Sequence, residues 1–150
     1  MTDAETVTRV RLAVLSRTAA SAKVPNAGEL SSVMGVDEPA VVDAYRVLGE
    51  GHVYVLEPND PTRLRMANPF SAVQTTFVVE VGQRHYYGNC VWDALGIVSM
   101  LGGNGTVSTA CPDCHEPLTL KVTDRKLVDG PGIVYFGVPA RRWWDDIIFT

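Results

Sequence analysis

GNCVWDALGIVSMLG, residues 88–102, is the stretch in which a reactive thiol and a helical pattern coincide. Its apolar side chains Val91, Leu95 and Val98 recur at the three- and four-residue spacing of one helix face, and two consecutive glycines follow the pattern. A β-branched and aromatic run at residues 75–81 lies just before it and predicts a strand. We therefore expect a strand followed by a helix, with the second half of the chain built around that helix.

Cys90 falls in or just before the first turn of the predicted helix. There, unpaired backbone N–H groups and the positive end of the helix dipole favour a thiolate, so we expect Cys90 to be the most reactive thiol of the chain. Asn89 is a candidate cap for the same turn. Asp93 lies three residues on, so its carboxyl shares a helix face with the sulfur, and a neighbouring thiolate raises the pKa of that carboxyl. The pair could bind a soft atom and supply a proton.

A purely structural interpretation of this pair competes with the chemical one. Cysteine is among the residues most often buried, and an aspartate in a first helical turn commonly complements the helix dipole. For a Cys-x-x-Asp spacing taken alone, a structural role is commoner than a chemical one. The rest of the sequence has to decide between the two interpretations.

The composition is that of an ordinary globular protein. The 150 residues are 46% hydrophobic and 20% charged, which is enough for one fair-sized core or two small ones. A net charge of −4 argues against a general affinity for nucleic acid or for an anionic membrane. Three cysteines do not make a disulfide framework, and the first residues lack the pattern of a signal peptide. We therefore expect a cytoplasmic protein with free thiols and no membrane partner.

The first 68 residues predict a winged-helix-like domain. The candidate helix caps Asn26 and Asp37, amphipathic periodicity and alternating apolar runs indicate three helices and then a hairpin. The expected helices cover residues 7–20, 26–34 and 39–48, and the expected strands cover residues 52–56 and 63–66. This order is typical of a helix-turn-helix followed by a wing.

A winged helix often binds DNA, but the charges here disagree with that function. The helix that would enter the major groove carries Asp37, Glu38 and Asp43 against a single Arg46. A phosphate-facing surface should instead carry clustered lysines and arginines. We therefore favour a domain that packs on the remainder of the chain, with a DNA-binding regulator as the disfavoured alternative and nucleic acid an unexpected partner.

Residues 69–150 predict a second domain, a mixed β-sheet packed around the helix that bears Cys90, so the fold class is α+β. Alternation, glycine-rich turns and a proline-initiated helical run set its expected elements. Strands are expected over residues 106–110, 118–123 and 133–138, a short helix over residues 139–146, and the beginning of a further strand over residues 147–150.

The sequence CPDCH at residues 111–115 lies between two of these strands and supplies two further thiols. Cys111, Cys114 and His115 invite comparison with half of a zinc site or with covalent haem attachment. A structural zinc needs four ligands, and no second knuckle accompanies this one, so structural zinc is not favoured. For this sequence, a tight turn that happens to carry two thiols is the commoner interpretation. Clustered sulfurs would nevertheless select soft, thiophilic metals.

With these residues in place, the chain resembles the organomercurial lyase (alkylmercury lyase) family over nearly its whole length. Cys90 and Asp93 in CVWDAL match the family's first catalytic motif. STAC at residues 108–111 and PLTL at residues 117–120 match the strand pair that follows it. The family also has a winged-helix-like domain in front. It is the order of these parts that carries the resemblance.

The resemblance implies a mercury-detoxification enzyme that cleaves a carbon–mercury bond by protonolysis without an organic cofactor. Cys90 would bind mercury as substrate and product, and Asp93 would protonate the departing carbon. Small thiols or a mercuric reductase would accept the Hg(II). The family's second catalytic cysteine is expected just after residues 144–150, where this sequence stops, so the sequence has the form expected of a catalytic domain truncated at its C-terminal end. If the end is genuine, Cys111 or Cys114 would have to supply the second thiol. A soft-metal binding or sensing module without lyase activity is the alternative.

Overall fold

Three helices open the chain in the computed structural model, which describes residues 2–148. They are α1 (Ala4–Ser21), α2 (Ala27–Met34) and α3 (Glu38–Glu50). The Asn26 side chain accepts a hydrogen bond from the Glu29 N–H, and the Glu29 carboxylate accepts one from the Asn26 N–H, so the predicted start of α2 is confirmed as a capping box. Asp37 precedes α3 but makes no side-chain cap bond, and in that detail its predicted role was wrong.

A hairpin follows the helices and forms a first antiparallel sheet. Its three strands run in the order β1 (Tyr54–Glu57), β2 (Asp60–Ala67) and β3 (Phe70–Ser71). The turn between the first two strands lies at Pro58 and Asn59, and Asp60 after it accepts hydrogen bonds from the N–H and hydroxyl of Thr62.

The second sheet has five strands, and every neighbouring pair in it is antiparallel. In chain order they are β4 (Val78–Val81), β5 (Arg84–Tyr87), β6 (Gly105–Ala110), β7 (Pro117–Thr123) and β8 (Lys126–Asp129), and across the sheet they run β5-β4-β6-β7-β8. The mixed sheet that we expected was therefore wrong, although the α+β class is confirmed. One helix, α4 (Val91–Met100), connects β5 to β6 and packs on the sheet through Ala94, Ile97 and Val98.

The chain after β8 differs from the sequence-based expectation. Residues 133–138 form no strand, because they have no pairing partner among the described residues, and β8 was not predicted at all. The expected short helix is present as a 3-10 helix (Ala140–Asp145). Ile147 and Ile148 lie in a turn, and the last two positions of the strand expected over residues 147–150 lie outside the described residues.

Two clusters of buried side chains account for the core. The first joins the three opening helices to β1 and β2, and the second joins α4 to the five-stranded sheet and Phe70. Helix α1 reaches both clusters, because Leu15 packs on the second and the Tyr86 hydroxyl donates a hydrogen bond to the carbonyl of Ala19 at 2.7 Å. Within residues 2–148, no helix is long and apolar enough to cross a membrane.

Candidate active site

The junction between β5 and α4 holds Cys90 against the edge of the second core. The Gly88 N–H donates to the carbonyl of Phe77 at 3.0 Å, and the Thr75 hydroxyl donates to the carbonyl of Gly88 at 2.6 Å. Gly88 is buried, and a Cβ added there would stand 2.7 Å from the backbone nitrogen of Ala94. The missing side chain of Gly88 therefore lets the junction pack directly on the first turns of the helix.

Cys90 is itself the N-cap residue of α4. Its backbone is extended, and its sulfur accepts a hydrogen bond from the Asp93 N–H at 3.5 Å. The predicted helix start and the proximity of Cys90 to Asp93 are confirmed. The prediction that Asn89 caps the helix was wrong, because its side chain turns back and donates from Nδ2 to Oδ2 of Asp93 at 3.0 Å.

The electrostatics of Cys90 run against the thiolate that we expected. Burial raises the pKa of the thiol, and the charge of Asp93 raises it further. Hydrogen bonds from the N–H groups of Asp93 and Trp92 lower the pKa, as a helix start should, but they do not outweigh burial. The raised pKa therefore favours the neutral thiol form of Cys90.

The pKa of Asp93 is raised, as predicted, but the cause differs from the one expected. Burial raises the pKa of its carboxyl, and the hydrogen bonds from Asn89 partly oppose that rise. The cause is thus loss of water around the carboxyl rather than repulsion by a neighbouring thiolate. A raised pKa favours a carboxyl that still holds its proton at a pH where an exposed aspartate has lost it.

An aromatic cavity of about 310 Å³ opens beside the thiol. It is bounded by Phe77 and by residues 89–91 on one side, and by residues 135–138 with Trp143 on the other. The Phe136 and Trp143 rings lie 5.2 Å apart, and the Trp143 indole N–H donates to the carbonyl of Val138 at 2.7 Å. No local pattern in the sequence indicates this wall, because it forms only when a segment without regular secondary structure returns across the helix start.

The other two thiols lie together at the β6–β7 turn. Cys111 is half-buried and Cys114 is exposed, and neither lines the cavity beside Cys90. Hydrogen bonds from the backbone N–H groups of Cys114 and Asp113, and from the Cys114 thiol, lower the pKa of Cys111. The turn closes with the His115 N–H bonded to the carbonyl of Cys111.

The structure therefore gathers the predicted residues into two pairs rather than one group. Cys90 lies with Asp93, and Cys111 lies with Cys114. Across the described part of the chain, no three His, Cys, Asp or Glu side chains come together as a metal site. Asn89 is the site residue whose role the sequence did not indicate, because the sequence predicted it only as a helix cap. Its contact with Asp93 depends on a side-chain direction that the sequence does not reveal.

Comparison with known proteins places these residues in a family. The family model described as alkylmercury lyase matches residues 70–150, which is more than half of the chain. A solved structure, the mercury-bound form of MerB2, superposes with a TM-score of 0.65 at 19% sequence identity. The match covers 86% of this chain and 61% of that one, so the chain spans about three fifths of the length of that protein. A comparison with curated proteins finds no match.

Proposed function

The chain belongs to the alkylmercury lyase family, and on that premise we propose that it cleaves the carbon–mercury bond of organomercurials by protonolysis. The observation that carries the proposal is the contact between Cys90 and Asp93 at the start of α4, where Cys90 lines an aromatic cavity. A soft sulfur and a buried carboxyl are the two groups that this reaction needs.

The first step is a thiol exchange at Cys90. An organomercurial carried by a small thiol has the form R–Hg–SR′. The mercury–sulfur bond to Cys90 forms as the small thiolate leaves, and the Cys90 proton passes to that leaving thiolate. A neutral Cys90, as burial of the sulfur favours, suits this exchange because the departing group removes its proton.

The second step is proton transfer from Asp93 to carbon. The carbon–mercury bond breaks, its electron pair takes the Asp93 proton, and the hydrocarbon R–H leaves an Asp93 carboxylate and Hg(II) on sulfur. A second thiol then binds the Hg(II) and returns its own proton to Asp93, which closes the proton balance. The raised pKa of Asp93, caused by its burial, favours a carboxyl that still holds the proton to be transferred.

Cys111 and Cys114 are our candidates for the second thiol. Residues alternate between the two faces of a strand, and Val107 of β6 packs on α4 in the second core. The backbone ladder continues past β6 as the Cys111 N–H donates to the carbonyl of Glu116, so Cys111 falls on the same face as Val107. This face is the one on which α4 packs. The lowered pKa of Cys111 also eases the release of the thiol proton as the sulfur binds Hg(II).

The aromatic cavity would hold the organic group of the substrate. Its walls include Phe77, Phe136 and Trp143, whose rings suit an alkyl or aryl group better than a charged one. Small thiols or a mercuric reductase remain our proposed acceptors of the Hg(II). Three free thiols favour a reducing compartment, the cytoplasm.

We also propose that residues 1–68 form a winged-helix-like domain and residues 69–150 the catalytic domain. The three helices and the β1–β2 hairpin have the order of a winged helix. The first core cluster ends at Ala67 and the second begins at Phe70, which supports a boundary between them. The acidic α3 supports a packing role over DNA binding.

The test is benzene release from phenylmercury by the full chain in excess small thiol. We expect release by the wild-type chain and none by Cys90→Ser, because a hydroxyl is too hard a ligand to hold mercury. Asp93→Asn should keep mercury but release at least about 100-fold less benzene, because the proton donor is gone. Gas chromatography measures the benzene, and elemental mass spectrometry measures the retained mercury.

Asp124→Asn is the matched control, because it makes the same chemical change in the exposed turn between β7 and β8. It should release benzene as the wild type does. A wild-type chain that retains phenylmercury and releases no benzene would refute the lyase proposal and leave a soft-metal binding module. Equal benzene release by Asp93→Asn and wild type would remove Asp93 from the mechanism.

A further inference from the structure

The side-chain amide of Asn89 is held by three acceptors at once. Its Nδ2 atom lies 3.0 Å from Oδ2 of Asp93, 3.2 Å from Oδ1 of Asn68 and 3.4 Å from the carbonyl of Pro69. The Pro69 carbonyl and an ionised Asp93 carboxylate can only accept hydrogen bonds. The chemistry of these neighbours therefore fixes which end of the Asn89 amide faces them.

The other end of the same amide has no partner. Oδ1 of Asn89 is buried, and within the described residues it accepts no hydrogen bond. A buried asparagine that served only to satisfy the fold would be expected to have both ends bonded, because an unpaired buried carbonyl is unfavourable. Here the donor end is crowded with acceptors while the acceptor end is left empty, which indicates that the N–H groups are what this position requires.

We propose that Asn89 is a positioning residue that holds the carboxyl of Asp93 by its Oδ2 atom and so leaves Oδ1 to carry the proton that is transferred. The inference rests on the proposed lyase reaction and names a residue that this reaction needs in addition to Cys90 and Asp93. Asn68 and Pro69, in the segment between β2 and β3, also accept hydrogen bonds from the Asn89 amide. These contacts hold the amide in place independently of the rotation of the Asp93 carboxyl.

The same contact makes Asp93 a better acid. Burial raises the pKa of the carboxyl and favours its protonated form, whereas the side-chain hydrogen bond from Asn89, together with a smaller effect of the Asn89 backbone N–H, favours the carboxylate that forms when the proton leaves. Without Asn89 the carboxyl would keep its proton to higher pH but would release it to carbon more slowly. Substitution of a residue with only a packing role would not raise the pKa of Asp93 and slow its proton transfer together.

The experiment measures Asp93 directly and does not depend on turnover. Carboxyl carbons of aspartate are labelled with ¹³C in the full chain, and Asp93 is assigned as the signal missing from Asp93→Asn. We expect its titration midpoint to move to higher pH in Asn89→Ala. Asn104→Ala is the matched control, because that amide bonds to the carbonyl of Gly102 and the N–H of Asp124, away from Asp93, and it should leave the midpoint in place.

A second variant, Asn89→Asp, keeps the size of the side chain while replacing its donor with a carboxyl. Two adjacent carboxyls titrate as a pair, so the midpoint of Asp93 should again move upward and the curve should broaden. With phenylmercury already bound, benzene release by Asn89→Ala should be about tenfold slower at low pH. The rate of benzene release falls as pH rises, and the midpoint of that fall should lie at a higher pH in Asn89→Ala than in the wild type.

An Asp93 midpoint that is the same in wild type and both variants would overturn the inference, even if wild-type lyase activity is normal. So would a slower release in Asn89→Ala whose pH dependence matches that of the wild type, since a structural role would explain it. A wild-type chain that releases no benzene overturns the proposed function instead, and the catalytic use of Asn89 with it. The NMR and benzene measurements therefore separate the two failures.

Discussion

Two thiols of this chain experience opposite electrostatic influences. Cys90 is buried beside Asp93, which raises the pKa of its thiol, whereas backbone N–H groups lower the pKa of Cys111. Because the thiolate is the nucleophile, the ionised fraction at neutral pH is larger at Cys111. Burial thus decides which sulfur reacts first with a small electrophile, and a helix start alone does not.

Competitive alkylation of the folded chain checks this ordering. We expect iodoacetamide at neutral pH to modify Cys111 severalfold faster than Cys90, reversing the order that the sequence suggested. The modification rate of Cys111 should reach its plateau at a lower pH than that of Cys90, since its pKa is the lower one. Isotope-coded labelling with tandem mass spectrometry reads each site, and the urea-unfolded chain, in which the thiols should react alike, is the control. Faster labelling of Cys90 in the folded state would contradict the burial argument.

At the scale of elements, the start of α4 depends on the absence of a side chain at Gly88. A Cβ there would approach the backbone nitrogen of Ala94 at 2.7 Å and its Cβ at 2.9 Å, and backbone atoms of a packed helix cannot move aside cheaply. At Gly96, in the middle of the same helix, an added Cβ would meet none of the described atoms within 4 Å outside the local helix backbone. The two glycines therefore offer opposite outcomes for the same substitution.

Gly88→Ala should lower the free energy of unfolding by about 1–3 kcal/mol through overpacking. Gly96→Ala should leave it unchanged or raise it by about 0.5–1 kcal/mol, because alanine favours the helix. Urea unfolding with a constant slope measures both. Equal effects of the two substitutions would show that the junction tolerates a larger residue and that its packing does not set the helix start.

Elements with strong local signals were predictable from the sequence, and those that depend on distant partners were not. The periodicity of α4 and the cap at Asn26 are local, and both predictions are confirmed. Asn89 and Cys90 are adjacent and both are compatible with the N-cap position, so only side-chain direction distinguishes them. Residues 133–138 have strand-like composition, but a strand also needs a free sheet edge in register, and no strand within residues 2–148 pairs with them.

Over the whole molecule, α1 holds the two core clusters together. The Tyr86 hydroxyl in the second cluster bonds to the Ala19 carbonyl, and Leu15 packs on that cluster as well. Tyr45 makes a bond of the same kind, but to the Pro25 carbonyl beside the first cluster. Sequence reasoning could not foresee this coupling, since it joins residues 67 positions apart.

Tyr86→Phe should lower the free energy of unfolding by about 1 kcal/mol, the usual value of one hydrogen bond, while its ring keeps its packing against Phe70. Amide exchange in the last turn of α1 should become faster, because that turn loses its tie to the sheet. Tyr45→Phe is the control, with a similar loss of stability but unchanged exchange in that turn. Hydrogen exchange read by NMR makes the comparison, and unchanged exchange in Tyr86→Phe would remove the proposed link.

Trp143 and Trp144 are neighbours in the chain that occupy different surroundings. Trp143 forms a wall of the cavity beside Cys90, whereas Trp144 stacks on the imidazole of His52, with ring centroids 4.2 Å apart and planes 6° from parallel. A heavy atom quenches the emission of an indole that it approaches. The molecule thus carries two adjacent fluorophores in different surroundings, and mercury bound at the Cys90 thiol would quench Trp143, which lines the same cavity.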